Sequence, residues 1–187
     1  MIKIDYPAPD FFEKSFCEDE IKKISLSDFR GKWVVLFFYP ADFTFVCPTE
    51  LNELSKRYEE LRDMNVEVIS ISTDSPYVHK AWKDSSHMIK NIQFPMLSDP
   101  TGKVSRAYDV MVEHEGFSQR ATFIIDPDGM VKTIEIHNND IGRNADELIR
   151  KLHAAQHVRN NSDEACPASW NPGKETLKVK PAVAGKA

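Results

Sequence analysis

Hydrophobic positions along the chain change their period several times, and each change predicts an element. Residues 33 to 40, WVVLFFYP, form an apolar run rich in aromatic and β-branched side chains that stops at Pro40. A run this short, without helical spacing, predicts a central strand covered on both faces. From Pro48 to Met64 the apolar residues fall at Leu51, Leu54, Tyr58 and Leu61, with Glu, Lys and Arg between them. That three- and four-residue spacing predicts an amphipathic helix. Pro48 suits a first helical turn, where its missing N–H is not needed, and Glu50 lies where negative charge complements the helix dipole. VEVISIS, residues 66 to 72, alternates and is β-branched. Strand, helix and strand then make a βαβ unit with a right-handed crossover and parallel strands.

Further on, Asp74 and Ser75 before Pro76 predict the cap of a second helix around YVHKAWKD. ATFIID and MVKTIEI flank PDG, two β runs around a short glycine-containing turn, which predicts an antiparallel hairpin. NADELIRKLHAAQHV follows as a helix with Asn144 as its cap. The order implies an α/β fold: a mixed central sheet flanked by helices in a thioredoxin-like layout, with an antiparallel edge at its C-terminal side. From Asn160 the periodicity fails and turn formers take over, so the reading is one domain over 1–160 and an irregular tail over 161–187 that carries Cys166 and Trp170.

Composition narrows the function classes. With 41% hydrophobic residues, 28% charged residues and three cysteines in 187 residues, the chain is an ordinary globular protein and neither a disulfide-rich module nor a disordered chain. A formal net charge of -5 gives no electrostatic footprint for nucleic acid or an anionic membrane. The longest apolar run, Trp33 to Tyr39, is far short of the roughly 20 residues a spanning helix needs. The opening MIKIDYPAPDFF lacks the basic start and unbroken apolar stretch of a secretory signal, so the expected location is the cytoplasm, where cysteines begin as thiols. There is no C-x-x-C and no paired-histidine motif, so neither metal nor cofactor is expected.

Against that background Cys47 stands out. It sits where the apolar strand gives way to the amphipathic helix, and a cysteine attacks only as its thiolate, an anion that the unpaired N–H groups of a helix N-terminus stabilise. Thr44, three residues earlier, can turn its hydroxyl toward the sulfur or a bound oxygen in a tightened first turn. Pro40 closes the loop and brings no donor of its own.

The spacing P-x-x-x-T-x-x-C, realised here as FYPADFTFVCPTEL, resembles the signature of the peroxiredoxins, in particular the bacterial alkyl hydroperoxide reductase type. The resemblance runs from APDF at Ala8, through SLSDFRGKWVVLFFYP and RATFIIDPDG, to EACPASW near the C-terminus. It implies a thiol peroxidase that reduces hydrogen peroxide and organic hydroperoxides. Cys47 would be the peroxidatic cysteine, Thr44 and Pro40 would shape its pocket, and Arg120 would supply the fixed positive charge. Glu50 would orient arginines, Arg143 would be a second arginine near the site or a dimer interface, and Trp82 would pack beside the active-site loop. Cys166 would be the resolving cysteine, supplied by the partner subunit of a homodimer that assembles further to a decamer. The oxidised enzyme would need a disulfide reductase as electron donor: a flavoprotein reductase, thioredoxin or a thioredoxin-like adaptor.

Alternative readings on the same fold are a general thiol–disulfide oxidoreductase, which normally has C-x-x-C at this junction, and a chaperone-like oligomer. Cys17 in KSFCEDE matches no family function, and the acids beside it disfavour a thiolate. Easily over-oxidised peroxiredoxins carry a G-G-L-G stretch and a C-terminal Tyr-Phe helix; DSSHMIKNIQ lacks the first and VKPAVAGKA the second, which implies resistance to over-oxidation.

Overall fold

The computed structural model describes residues 1–179. Contacts divide the chain into two compact units, Met1–Arg143 and the residues from Asn144 on. The first unit contains β1 (Phe12–Cys17), β2 (Glu20–Ser25), β3 (Trp33–Phe38), α1 (Cys47–Lys56), α2 (Tyr58–Asp63), β4 (Val66–Ser72), α3 (Pro76–Ser85) and β5 (Met96–Ser98). It continues with α4 (Lys103–Ala107), β6 (Met111–Val112), β7 (Phe117–Ser118), β8 (Arg120–Ile125) and β9 (Val131–His137). The second unit holds α5 (Ala145–Asn160) and the short strands β10 (Glu164–Ala165) and β11 (Leu177–Lys178).

Seven strands form one sheet in the order β2-β1-β5-β4-β3-β8-β9. β3 pairs parallel with β4, and β4 parallel with β5, while β8 and β9 close one edge antiparallel. The βαβ unit and the hairpin read from the sequence are therefore both present. Every residue of β3 is buried, as a strand without polar positions must be in a sheet covered on both faces. Val34, Leu36 and Phe38 point into one apolar cluster, in which Phe38, Tyr108 and Phe123 meet ring to ring at 4.9 to 5.7 Å between centroids. The intervening residues of β3 face the other way by the two-residue period of a strand. α2 packs against β4, and α3 against β1 and β5.

Three local features differ from the sequence reading. The helix expected from Pro48 to Met64 is broken at Arg57, whose backbone (φ -101°, ψ 2°) leaves the helical region before α2 begins. Leu51, Leu54, Tyr58 and Leu61 are buried all the same, so the apolar stripe survives the break. Ser75 does cap α3, its side chain accepting from the Val78 N–H, but Asp74 turns instead toward Ser72 and the backbone of Asp42. β1 and β2 form a hairpin that the polar sequence CEDE did not announce; its turn residues Glu18 and Asp19 both adopt positive φ.

In the second unit Asn144 caps α5 by accepting from the Asp146 and Glu147 N–H groups. The tail is more ordered than its composition implies. β10 and β11 pair, and Trp170 is buried with its indole N–H donating to the Lys174 carbonyl. The VKPAVAGKA stretch lies almost wholly outside the described residues. No helix among the described residues is long and apolar enough to cross a membrane. Among the same residues no group of His, Cys, Asp and Glu side chains is placed to hold a metal ion.

Candidate active site

β3 ends at Phe38 in the middle of the sheet, and the chain crosses from there to α1 in a loop of eight residues, 39 to 46. Cys47 is the first residue of α1, with Pro48 behind it where no N–H is required. The helix begins tightly, with the N–H groups of Thr49 and Glu50 both turned back to the Val46 carbonyl. Strand, loop and helix together hold the Cys47 thiol at 0% exposure beside the N-terminal end of the helix dipole.

One arginine reaches the thiol, and it is held in turn by a carboxylate shared with a second arginine. Arg120, the first residue of β8, sends Nη1 to within 3.3 Å of Cys47 Sγ and 2.8 Å of Glu50 Oε2. Its Nε donates to the Asn139 carbonyl at 2.7 Å, so the guanidinium is anchored on the side away from the thiol. Arg143 donates to Glu50 from its backbone N–H, Nε and Nη2 at 2.8, 2.9 and 3.0 Å. Its Nη1 donates to the Ala121 carbonyl and the Thr122 hydroxyl, and its guanidinium lies 3.3 Å from the centroid of the Phe37 ring.

Glu50 therefore accepts four hydrogen bonds from two guanidinium groups and one backbone N–H. Burial alone would push its carboxyl up, but the hydrogen bonds and charge of Arg143, with Arg120 adding to them, hold it below the ordinary value. All three side chains are nearly inaccessible to solvent. Buried charges are costly unless balanced, and here two arginines face one carboxylate, so one positive charge is left over. That excess positive charge lies against Cys47 Sγ, where Arg120 Nη1 can also donate to an oxygen that takes on negative charge.

The structure brings Cys47, Arg120, Glu50 and Arg143 into one contact network. Thr44 lies in the loop, and its hydroxyl donates to the Ala41 carbonyl at 2.9 Å, within the loop itself, rather than to the sulfur, one of the two partners open to it from the sequence. Pro40 is buried at the start of that loop. Trp82, on α3, is buried beneath it, with ring centroids 6.2 Å from Tyr39 and 6.0 Å from Phe43. Phe43, Thr44, Pro48, Trp82 and Met88 border an open groove of about 550 Å³ beside the helix start.

Cys166 belongs to the second unit and follows β10 directly. It is half-buried as a free thiol, and burial, reinforced by the charge of Glu164, pushes it above the ordinary thiol range. Cys17 donates to the Gln93 carbonyl at 3.3 Å; burial, then Glu18, pushes that thiol up as well.

The sequence reading passed over Asp42 and His79, whose side chains pair at 2.8 Å with no solvent exposure under the same loop. The available signal was a histidine three residues before Trp82 on the apolar face of α3.

Residues 4–134 match the AhpC/TSA family. Among curated proteins, alkyl hydroperoxide reductase C of Staphylococcus haemolyticus is 49% identical over 169 residues, which is 90% of this chain and 89% of that one. Among solved structures, AhpC of Enterococcus faecalis superposes with a TM-score of 0.86 at 46% identity, covering 89% of this chain and all of that one. The reduced 2-Cys peroxiredoxin of Plasmodium vivax superposes with a TM-score of 0.91 at 37% identity, covering 95% of this chain and 93% of the other. These likenesses extend over the strand, loop and helix that hold the buried cysteine and over the strand that carries its arginine, and the chain belongs to the AhpC/TSA family.

Proposed function

We propose that the protein is a thiol peroxidase that reduces hydrogen peroxide and organic hydroperoxides with Cys47 as nucleophile. One observation carries the reading: a fully buried thiol at a helix start, 3.3 Å from a guanidinium that a buried carboxylate and a backbone carbonyl hold in place. The Cys47 thiolate attacks the terminal oxygen of the peroxide, the O–O bond breaks, and the second oxygen leaves with the electron pair and takes up a proton. Sulfur is oxidised to sulfenic acid, and the peroxide is reduced to an alcohol or water. Charge builds on both oxygens in that displacement, and Arg120 is aimed where it builds. Thr44 supplies a further donor if its hydroxyl rotates from Ala41 onto the substrate oxygen. Glu50 and Arg143 act through Arg120, fixing its orientation.

The sulfenic acid then condenses with a second thiol, releasing water and forming a disulfide. Its partner is Cys166 of the partner subunit in a homodimer that assembles further to a decamer. The cycle closes when a disulfide reductase returns two electrons in the cytoplasm. Because Cys47 has no solvent exposure, its sulfur must leave this position before it can join another, so the first turn of α1 opens in each cycle.

The test is one equivalent of hydrogen peroxide added to fully reduced protein, followed by a non-reducing gel and peptide mapping. A Cys47 to Cys166 bond between subunits is expected. Oxidised Cys47 without a partner would remove Cys166 from the cycle, and unreacted cysteines would sink the peroxidase reading.

A further inference from the structure

A second buried polar cluster lies under the loop between β3 and α1, built from residues the peroxide chemistry above does not use. Asp42 accepts the Tyr39 hydroxyl on Oδ1 at 2.7 Å and pairs with His79 Nδ1 through Oδ2 at 2.8 Å. The backbone N–H of Asp42 donates to Asp74 Oδ2 at 2.8 Å, which also accepts the Ser72 hydroxyl at 2.8 Å. His79 Nε2 faces the Leu97 carbonyl at 3.4 Å. A single loop residue is thereby tied to the residue after β3, to the end of β4, to α3 and, through His79, to β5. Burial pushes the Asp42 carboxyl above its ordinary value, and the hydrogen bonds from His79 and Tyr39 act against that shift.

The neighbour of Asp42 shows that the loop needs holding. Phe43 has φ +55°, a left-handed backbone that a bulky residue adopts only when its surroundings impose it. Its ring packs on Trp82, three residues beyond His79 on α3, so one helix face grips the loop by a hydrogen bond at Asp42 and by an aromatic contact at Phe43. Releasing the first grip frees strain stored beside the second.

We propose that the Asp42–His79 pair is a latch that sets how often this loop and the first turn of α1 open, and through that how Cys47 sulfenic acid divides between disulfide formation and over-oxidation. The proposal rests on the thiol peroxidase reading. With the loop closed, a second peroxide transfers one oxygen to the sulfenate sulfur, its O–O bond breaking and an alcohol or water leaving, and sulfinic acid results. With the loop open, the sulfenic acid meets a thiol, an S–S bond forms and water leaves. A weaker latch favours the second route and slows the first attack of peroxide, which needs Cys47 held against Arg120. His79 acts here as a positioning residue.

The test compares wild type with His79→Leu, which keeps bulk and loses the donor, and His79→Asn, whose amide N–H falls near the place of Nδ1. Two quantities are read: the rate constant for peroxide consumption, and the sulfinic fraction of Cys47 per turnover by intact mass under dithiothreitol. In His79→Leu the sulfinic fraction falls roughly tenfold, the scale of one buried hydrogen bond, while peroxide attack also slows. His79→Asn restores both toward wild type. A variant that slows attack but leaves the sulfinic fraction per turnover unchanged overturns the latch, as does no change in either. If His79→Leu does not fold, Tyr39→Phe removes one arm of the cluster, and a smaller shift in the same direction is expected; none would overturn the proposal. Wild type that fails to consume peroxide would instead refute the peroxidase reading, and the latch with it.

Discussion

Arg120 Nη1 lies 3.3 Å from Cys47 Sγ, and the same nitrogen lies 2.8 Å from Glu50 Oε2. One N–H-bearing atom thus serves the nucleophile and the carboxylate that orients it, while Nε of the same fork is held by the Asn139 carbonyl. Lysine has no fork and cannot serve all three partners. Arg120→Lys should lower the rate constant for peroxide consumption by roughly 10² to 10³, the usual loss when a fixed transition-state donor is removed. Competition against a peroxidase of known rate measures it; a change within a factor of three would place the stabilising charge elsewhere.

Glu50 makes the site a stability problem as well as a catalytic one. Glu50→Ala leaves two buried guanidinium groups without a counter-charge and should cost about 3–5 kcal/mol in urea unfolding at neutral pH. The sign with pH follows from its lowered carboxyl, whose ordinary value is 4.5. Its ionised form contributes fully above that value, and the contribution is lost as pH falls from there through the lower folded value. The stability gap between wild type and Glu50→Gln should therefore narrow on acidification below about pH 4.5. A gap constant from pH 7 to 3 would mean that the folded carboxyl is not held low.

The two cysteine roles separate by trapping. Cys47→Ser should abolish peroxide consumption and leave Cys166 reduced. Cys166→Ser should react once with peroxide, accumulate a sulfenic acid that dimedone labels at Cys47, and form no subunit-linking disulfide. Dimedone label at Cys166 in Cys47→Ser would reverse the assignment.

Burial and Glu164 push the Cys166 thiol above its ordinary value of 9.0, so little of it is thiolate near neutrality. If the thiolate is the attacking form, disulfide formation should accelerate with each unit of pH up to and past that value. Rapid quenching after a single peroxide pulse reads this step apart from peroxide attack. A flat profile between pH 6 and 9 would show that another group removes the proton.

Trp82 is buried between Tyr39 and Phe43 under the loop. Trp82→Ala should cost about 3–5 kcal/mol, the range for deleting a large buried aromatic side chain. A loss below about 1 kcal/mol would show that the loop collapses onto α3 without it.

By itself, the sequence determined the central βαβ unit, the β8–β9 hairpin, the helices α3 and α5, and the place of Cys47. The unbroken run WVVLFFYP allowed only a fully covered strand, and the stripe of Leu51, Leu54, Tyr58 and Leu61 only a helix buried on one side. Cys47 had to lie at their junction, because period and proline are local signals carried within a few residues. The break at Arg57 and the ordered tail escaped because they depend on packing that no short window records. Only the tertiary structure decided which charges meet. Glu50 and Arg143 are 93 positions apart, and Arg120 is 73 from Cys47. Their balance exists because adjacent strands bring β8 and the loop before α5 to the start of α1. Asp42 and His79 were equally silent, since a buried hydrogen-bonded pair and a solvated one have the same residue letters; burial alone makes the pairing compulsory.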